Sequence, residues 1–226
     1  MTVGFFLVDT GSVDGALGVV CAAALVRSVR ASMPGVAVVQ FTDEQTAAVA
    51  GVNEVRRLPA EPMARLRMRH HAQAKGEWLF VDSDVLIQRD VRKVFAGPFD
   101  VALTTRNWKH LTPAEGFARR MPFNVGVVFS RTPGFWRAVY DRVLHMPEEL
   151  QHWMGDQQAI CDLVASGPKF TIAYLKGSKY NLPPALVDDA DGLNQRLQAK
   201  ASILHFKGLE RKTLLLARIR KEGLCV

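Results

Sequence analysis

The protein has 226 residues and a formal net charge of +7, and 48% of its residues are hydrophobic. That composition is typical of one globular domain with a full core, and the lack of an apolar run of about 18 residues argues against a membrane-spanning helix. The positive charge favours a phosphate-bearing partner, whereas the lack of a helix-turn-helix or an aromatic-interleaved basic strand argues against nucleic acid.

The N-terminal segment and the cysteines indicate the compartment. Residues 1–12 have no basic stretch before their apolar run, which predicts a first strand rather than a signal peptide. Cys21, Cys161 and Cys225 lack the spacing of metal ligands, so we expect free thiols in a reducing compartment. These features together predict a cytoplasmic protein.

The first half of the chain alternates between apolar runs and helical spacing. A helix that begins at Asp14 and another that opens at Thr42 are expected, and His70 and His71 are expected to be exposed on a third helix without a role. Strands are predicted over 3–8, 36–41, 52–58 and 78–81, and helices over 14–33, a short stretch from 42, and 63–75.

The second half continues the pattern. Strands are predicted over 99–103, 123–130, 170–175 and 203–206, helices over 133–146 and 154–165, and irregular polar segments over 109–121 and 186–199. The alternation predicts a single α/β domain over 1–226, with a Rossmann-like, mixed but mainly parallel sheet flanked by helices. Ligands of such sheets lie at the carboxyl ends of the strands, where Asp9, Thr10, Asp82 and Asp84 would meet.

Asp82 and Asp84 follow a buried strand directly and are two residues apart. In an extended segment both carboxylates point to the same side, and at about 4–5 Å they would repel by roughly 3–4 kcal/mol at an effective dielectric of ~20. A divalent cation that brings a polyphosphate with it would offset this repulsion. The alternative is an acidic turn that caps the next element.

His205 ends the last predicted strand and is followed by several cations and a glycine. Two carboxylates and one imidazole suit manganese, or magnesium less well, and Lys207 and Arg211 would neutralise a diphosphate. A buried structural histidine is the alternative. Asp156 and Gln157 begin a helix, either as a cap or as site residues, and Asn124 would bind a sugar hydroxyl or close a turn.

These motifs follow one another in a recognisable order: Asp82-Ser83-Asp84, Phe123-Asn124-Val125-Gly126-Val127, Asp156-Gln157, Tyr180-Asn181 and His205-Phe206-Lys207-Gly208. Together with the arginine-bearing helix 63–68, this order resembles glycosyltransferase family 8, which includes lipopolysaccharide galactosyltransferases and glycogenin. The resemblance extends from the first strand to about Lys212. It implies a GT-A fold, a donor that is usually a UDP-sugar, a manganese ion and transfer with retention.

The resemblance also implies roles for individual residues. Asp82, Asp84 and His205 would bind the metal, and Asn124, Asp156 and Gln157 would surround the sugar. The remaining donor contacts would come from Val8, Asp9, Thr10, Arg65, Ser83, Lys207, Gly208 and Arg211. The family's Pro-Trp after the terminal motif is absent here, where Arg211-Lys212-Thr213 stand.

Two other functions fit parts of the sequence. A haloacid-dehalogenase-type phosphohydrolase also has Asp-x-Asp after an apolar strand, although there the motif usually lies near the N-terminus. A non-catalytic nucleotide-sugar-binding protein would use the same binding residues. The basic, amphipathic segment 209–226 predicts either a peripheral membrane contact or a docked helix with a solvated basic face.

Overall fold

The computed structural model describes residues 1–106, 121–152, 154–186 and 198–221. The strands are β1 (Thr2–Phe6), β2 (Ala37–Asp43), β3 (Glu54–Leu58), β4 (Trp78–Asp82), β5 (Val85–Ile87), β6 (Val101–Thr105), β7 (Phe123–Ser130), β8 (Ile172–Lys176) and β9 (Ile203–His205). The helices are α1 (Val13–Ser32), α2 (Met63–Gln73), α3 (Pro133–Leu144), α4 (Gly155–Ala165), the single turn α5 (Gly177–Tyr180) and α6 (Leu209–Lys221), with short 3-10 segments at Arg92–Ala96 and Glu148–Leu150. That the chain forms one domain stays a prediction.

Seven of the described strands form one mixed sheet in the order β3-β2-β1-β4-β7-β6-β8. The pairs of β1 with β2 and β4, of β2 with β3, and of β6 with β8 are parallel, whereas β7 runs antiparallel to both β4 and β6. The prediction of a mainly parallel α/β sheet is therefore confirmed. Because β7 is reversed, its first residues lie at the same edge of the sheet as the carboxyl ends of β1 and β4.

The strands β5 and β9 form a separate antiparallel ribbon in which Val85 pairs with His205. The Phe206 N–H donates to the Asp84 carbonyl (2.8 Å), which extends the pairing by one residue on each strand. The ribbon therefore fixes the C-terminal histidine beside the acidic motif, more than 120 residues away along the chain.

Helices cover both faces of the large sheet, as parallel strands require. On one face α1 buries Leu25 and Val29 in a cluster with β1 and β4. On the other face α2, α3 and α4 share a cluster with Phe80 and Trp136. By length and composition α1 could also cross a membrane, since Gly15–Ser32 has a mean hydropathy of 1.4, but its apolar residues pack as those of a core helix.

The C-terminal helix α6 docks on α1 through Leu215 and Ile219, which are buried with Cys21, Ala24 and Phe206. Burying two aliphatic side chains of this size contributes roughly 1.5–3 kcal/mol each. A docked helix is one of the two structures that the sequence predicts for the segment 209–226. Residues 222–226, including Cys225, lie outside the described residues.

Two predicted local structures differ from the observed ones. The N-cap of α1 is Ser12, whose hydroxyl accepts a hydrogen bond from the Gly15 N–H, and not Asp14. No helix opens at Thr42: the Asp43 carboxylate accepts hydrogen bonds from the N–H groups of Gln45 and Thr46, which closes a turn in place of a helical cap. Most of the polar segment predicted over 109–121 lies outside the described residues.

The prediction that His70 and His71 are exposed is wrong. Both are 2% exposed, because the face of α2 that carries them packs against the sheet. The Nε2 of His70 bonds the Thr42 carbonyl at 2.9 Å, and His71 stacks on Phe80 with ring centroids 3.8 Å apart. Burial lowers the pKa of His70 to about 4 and places the pKa of His71 well below 6.5.

These buried imidazoles are expected to destabilise the protein in mild acid. Below a pH of about 6.5 the unfolded chain takes up protons that the folded His70 does not, so the free energy of unfolding falls by up to about 1.4 kcal/mol per pH unit and per histidine until the folded pKa is reached. Urea unfolding between pH 7.5 and 5 measures this slope. His70→Gln keeps a hydrogen-bond donor and should flatten it, and an identical slope in both proteins would contradict the prediction.

Candidate nucleotide-sugar and metal site

A cavity of about 680 Å³ opens at the carboxyl edge of β1 and β4. It is lined by Val8 and Thr10 after β1, by Asp82, Ser83 and Asp84 at the end of β4, and by Asn124 at the start of β7. Further residues of the lining come from α2, from α4 and the residue before it, from the ends of β6 and β9, and from the start of α6: Met63, Ala64, Arg67, Arg106, Met154, Asp156, Gln157, His205, Lys207, Gly208, Leu209 and Lys212. Its position is where ligands of open α/β sheets bind.

Asp82, Asp84 and His205 converge at this cavity. Each offers one ligand atom, and these atoms lie within 4.8 Å of one another. The His205 Nε2 is 3.2 Å from the Asp84 Oδ1 and 3.4 Å from the Asp82 Oδ2. Asp84 and His205 are buried, whereas a third of the Asp82 side chain is exposed to the cavity. Burial favours a protonated Asp84, but His205 outweighs it and lowers the pKa of that carboxyl.

Gly126 makes the approach of these groups sterically feasible. A Cβ built on this residue would overlap the His205 ring and lie 2.5 Å from the Asp82 Oδ2. Since β7 runs antiparallel to β4, this part of β7 passes directly beside the end of β4. A residue without a side chain is therefore needed at this position.

Arg67 connects two carboxylates of the cavity. Its guanidinium lies 2.7 Å from the Asp82 Oδ1 and 3.1 Å from the Asp156 Oδ2. Burial raises the pKa of Asp156 and would lower that of Arg67, but the attraction of Asp82 and Asp156 leaves the Arg67 pKa above its usual value. Arg67 therefore remains charged and bridges the two carboxylates.

Arg65, which the resemblance implies to be a donor contact, lies outside the cavity. It pairs with Glu61 at 3.1 Å, 37% of its side chain is exposed, and it is absent from the cavity lining described above. Two residues along a helix turn the side chain by about 200°, so only one of Arg65 and Arg67 can face the cavity.

Replacing these two arginines should have very different effects. Arg67→Met leaves Asp82 and Asp156 without their buried partner and should lower the free energy of unfolding by about 3 kcal/mol. Arg65→Met, the matched control, should cost less than about 1 kcal/mol because 37% of the Arg65 side chain is exposed and Glu61 keeps Arg69 as a partner. Urea unfolding compares them, and equal losses would contradict the assignment.

Asn124, Asp156 and Gln157 lie together on the side of the cavity formed by β7 and α4. The Asn124 Oδ1 accepts hydrogen bonds from the Gly126 N–H (3.2 Å) and from Asn181 (2.9 Å). The Gln157 Oε1 accepts from the Val125 N–H at 3.4 Å. These contacts hold both amides in fixed orientations at the cavity wall.

The segment after β9 brings cations to the cavity. Lys207 is largely buried, and burial together with Arg106 and Arg211 lowers its pKa to about 8. Gly208 has a φ of +83°, which favours glycine, and turns the chain into α6 so that Lys212 also lines the cavity. Arg211 instead donates to the Pro184 carbonyl at 2.7 Å and is not among the residues of the lining.

Of the three residues predicted to contact the base and ribose, two line the cavity and one does not. Val8 and Thr10 line the cavity. Asp9 lies between them but is exposed, and its carboxylate accepts a hydrogen bond from the Gly11 N–H at 2.9 Å. The structure therefore brings most of the predicted set together, with Asp9, Arg65 and Arg211 outside the lining.

The ligand set fits a divalent cation. Two carboxylate oxygens and an imidazole nitrogen face one point, and such atoms converge stably only around a positive charge. Oxygen and nitrogen ligands of this kind suit manganese or magnesium, and no thiolate of a described cysteine takes part, since Cys21 and Cys161 are buried free thiols elsewhere.

The topology and the position of the acidic motif are those of a GT-A fold. Solved structures with this fold are similar over nearly the whole chain. The galactosyltransferase LgtC, in complex with donor and acceptor sugar analogues, superposes with a TM-score of 0.60 at 14% identity over 92% of this chain and 87% of its own. A glycosyltransferase involved in glycosylating the major capsid of PBCV-1 gives 0.56 at 12% over 94% and 98%.

The chain also matches part of a larger protein. The bifunctional glycosyltransferase WbbM superposes with a TM-score of 0.58 at 12% identity over 92% of this chain and 46% of that one. No protein-family profile and no curated protein sequence matches the chain. At these identities the similarity establishes the fold alone.

Proposed function

We propose that the protein is a metal-dependent glycosyltransferase that moves a sugar from a nucleoside-diphosphate donor, most simply a UDP-sugar, to a glycan, a lipid-linked sugar or a protein. The observation that carries the proposal is the convergence of Asp82, Asp84 and His205 at the carboxyl edge of a glycosyltransferase fold. The cation at this point is proposed to be manganese or magnesium.

The charges of the cavity complement such a donor. Among the described residues of the lining, the cations Arg67, Arg106, Lys207 and Lys212 face three carboxylates, those of Asp82, Asp84 and Asp156. A divalent cation would raise this excess of positive charge further, and a diphosphate would neutralise most of it. The net charge of +7 for the whole chain agrees with an anionic substrate.

Individual residues can then be given roles. Val8, Thr10 and the neighbouring Asp9 would contact the base and ribose, and Ser83 and Gly208 would contact the donor through the backbone. Lys207 would bind the diphosphate directly, with Arg211 adding longer-range charge. When bound, the cation would stabilise the negative charge that develops on the departing diphosphate.

Asp156 and Gln157 are proposed to lie beside the anomeric carbon, with Asn124 on the sugar hydroxyls. Arg67 holds the Asp156 carboxylate in place, and the Val125 N–H holds the Gln157 amide. A similar solved structure is an active-site mutant of LgtC in which glutamine is replaced by glutamate. We propose retention of configuration, as in the family that the sequence resembles.

The phosphohydrolase alternative is less well supported by the same geometry. It would need Asp82 as a free nucleophile, but its Oδ1 is bound by Arg67 and its Oδ2 faces His205. A binder that turns nothing over would share the cavity, so only turnover separates it from an enzyme.

The test is a thermal-shift panel of nucleotide sugars with and without Mn²⁺, followed by an assay of donor hydrolysis. A donor that binds raises the melting temperature by mass action, and the shift should require Mn²⁺. Stabilisation and hydrolysis that both disappear in EDTA support a metal-dependent enzyme. Stabilisation without turnover of any donor or acceptor would favour the binder, and no stabilisation by any nucleotide sugar would contradict the proposal.

The location of the protein is part of the proposal. We place it in the cytoplasm, where the buried thiols of Cys21 and Cys161 stay reduced, with a peripheral membrane contact through 209–226. Leu209 (58% exposed) and Leu214 (40% exposed) lie on α6 among basic residues.

The double variant Leu209→Ser/Leu214→Ser should reduce co-sedimentation of the protein with anionic vesicles. Equal sedimentation of the variant and the wild type would contradict the membrane contact.

A further inference from the structure

A buried asparagine, Asn181, lies directly behind the histidine of the proposed metal site. It is 5% exposed, and its side-chain Oδ1 is 2.8 Å from the His205 Nδ1. Its backbone is held in register with β9, because Leu182 bridges Leu204 and the His205 N–H donates to the Leu182 carbonyl at 3.0 Å. The loop 181–184 is thus an extra partner of the strand that carries His205.

The orientation of the Asn181 amide is determined by its other neighbours. Its nitrogen lies 3.1 Å from the Asn124 carbonyl oxygen, 2.9 Å from the Asn124 Oδ1 and 2.7 Å from the Thr104 Oγ1. A backbone carbonyl can only accept a hydrogen bond, so the group that faces it must be the amide N–H₂. The Thr104 hydroxyl already donates to that same carbonyl, at 2.8 Å, and is therefore an acceptor for Asn181.

This chain of hydrogen bonds determines which His205 nitrogen carries the proton. With the amide nitrogen turned towards β6 and β7, the Asn181 oxygen faces His205 and must accept, so Nδ1 is the protonated nitrogen. The Nε2 lone pair is then free for a cation at the point where the Asp82 and Asp84 oxygens also converge, whereas without a cation these oxygens can accept a proton from Nε2. A histidine with the opposite tautomer could not ligate through Nε2.

We propose that Asn181 is a positioning residue that holds His205 as the Nδ1–H tautomer and so makes its Nε2 available to the cation. The importance of this contact for catalysis rests on the proposed function, but its effect on the tautomer does not. Hydrogen bonds of this kind behind a metal-ligating histidine typically change metal affinity by about 10–100-fold when they are lost.

The protonated nitrogen is identified directly by long-range ¹H–¹⁵N NMR of metal-free protein labelled with ¹⁵N-histidine, because the coupling pattern distinguishes an Nδ1–H imidazole, an Nε2–H imidazole and an imidazolium. The signals of His205 are assigned by their loss in His205→Gln. Mn²⁺ alone is titrated in parallel by electron paramagnetic resonance. We expect Nδ1–H in the wild type, and in Asn181→Leu a shift to Nε2–H together with a loss of Mn²⁺ affinity of about 10–100-fold.

Two further variants separate positioning from general damage. Thr104→Val removes one acceptor of the Asn181 amide but leaves those of Asn124, so it should cost similar stability and keep the Nδ1–H tautomer. Asn181→Asp keeps an acceptor at the His205 Nδ1 and should also keep this tautomer. This variant still tests the inference if Asn181→Leu does not fold.

A wild-type His205 without a proton on Nδ1 would overturn the inference, as would unchanged protonation of Nδ1 and unchanged Mn²⁺ affinity in Asn181→Leu. Loss of the Nδ1–H tautomer in Asn181→Asp would also overturn it. These readouts involve no donor, so a protein that passes them but transfers no sugar would contradict the proposed function alone.

Discussion

Asp84→Asn is expected to lower metal-dependent donor hydrolysis by at least about 10³-fold. Asparagine has nearly the shape of aspartate, but the site loses one of two negative ligands and with it several kcal/mol of the charge stabilisation that the cation supplies. The Asp84 Oδ1 lies 3.2 Å from the His205 Nε2. No other described acid can take this place unless the backbone moves. Steady-state hydrolysis over a range of Mn²⁺ concentrations measures the loss.

The matched control is Asp141→Asn, an identical chemical change at an exposed position of α3. It should leave hydrolysis within about twofold of the wild type, because exposed charges far from a site contribute little. If Asp84→Asn retained full activity, or if the activity of the wild type survived in EDTA, the assignment of a metal role to Asp84 would be wrong.

Gly126→Ala is expected to weaken Mn²⁺ binding and donor turnover strongly although it removes no ligand. The added methyl group would occupy the space between the His205 ring and the Asp82 carboxylate, where the Asp82 Oδ2 is only 2.5 Å from the Cβ position. Contacts this short cannot be tolerated, so at least one ligand must move out of the site. We expect a loss of Mn²⁺ affinity of at least about 10²-fold, since losing a partner behind a ligand already costs about 10–100-fold and here a ligand itself is displaced.

Gly97→Ala provides the control for this substitution. Gly97 has a φ of −85°, which any residue adopts, and a Cβ there would meet nothing within 4 Å. This variant should bind Mn²⁺ as the wild type does. Normal Mn²⁺ binding by Gly126→Ala would show that the cation does not lie between Asp82 and His205.

The strands and their polar ends could be predicted from the sequence because strands buried on both faces are continuous apolar runs. The run before Asp82 and the one that ends at His205 were both identified in this way, and the structure brings them together. The ribbon of β5 and β9 that joins these two runs cannot be predicted from the sequence. Each of its strands has only three residues, and their pairing connects distant parts of the chain.

The choice between Arg65 and Arg67 shows where the sequence alone was insufficient. Both lie in the same basic helix, and only the packing of α2, with Ala64, Leu66 and Met68 buried, decides which arginine faces the cavity. A helical projection of those apolar residues could have indicated it. The same projection could have warned that His70 is buried, since it continues the apolar face.

The sequence does not predict the role of Asn181, which is named there only as part of the motif Tyr180-Asn181. Its role depends on the hydrogen bonds of Thr104 and Asn124, which come from two other strands and fix the orientation of one amide. Asx residues in loops usually close turns, so sequence reasoning alone would interpret Asn181 in that way.

Asp82, Asp84 and His205 are proposed to hold one divalent cation beside a nucleoside diphosphate. Crystals grown with Mn²⁺ and UDP test it most directly, because the anomalous scattering of manganese locates the ion independently of any model of the protein. The predicted result is one manganese peak in coordination distance of both carboxylates and of the His205 Nε2. A complex in which UDP is bound but manganese lies elsewhere, or in which His205 faces away from the ion, would contradict it.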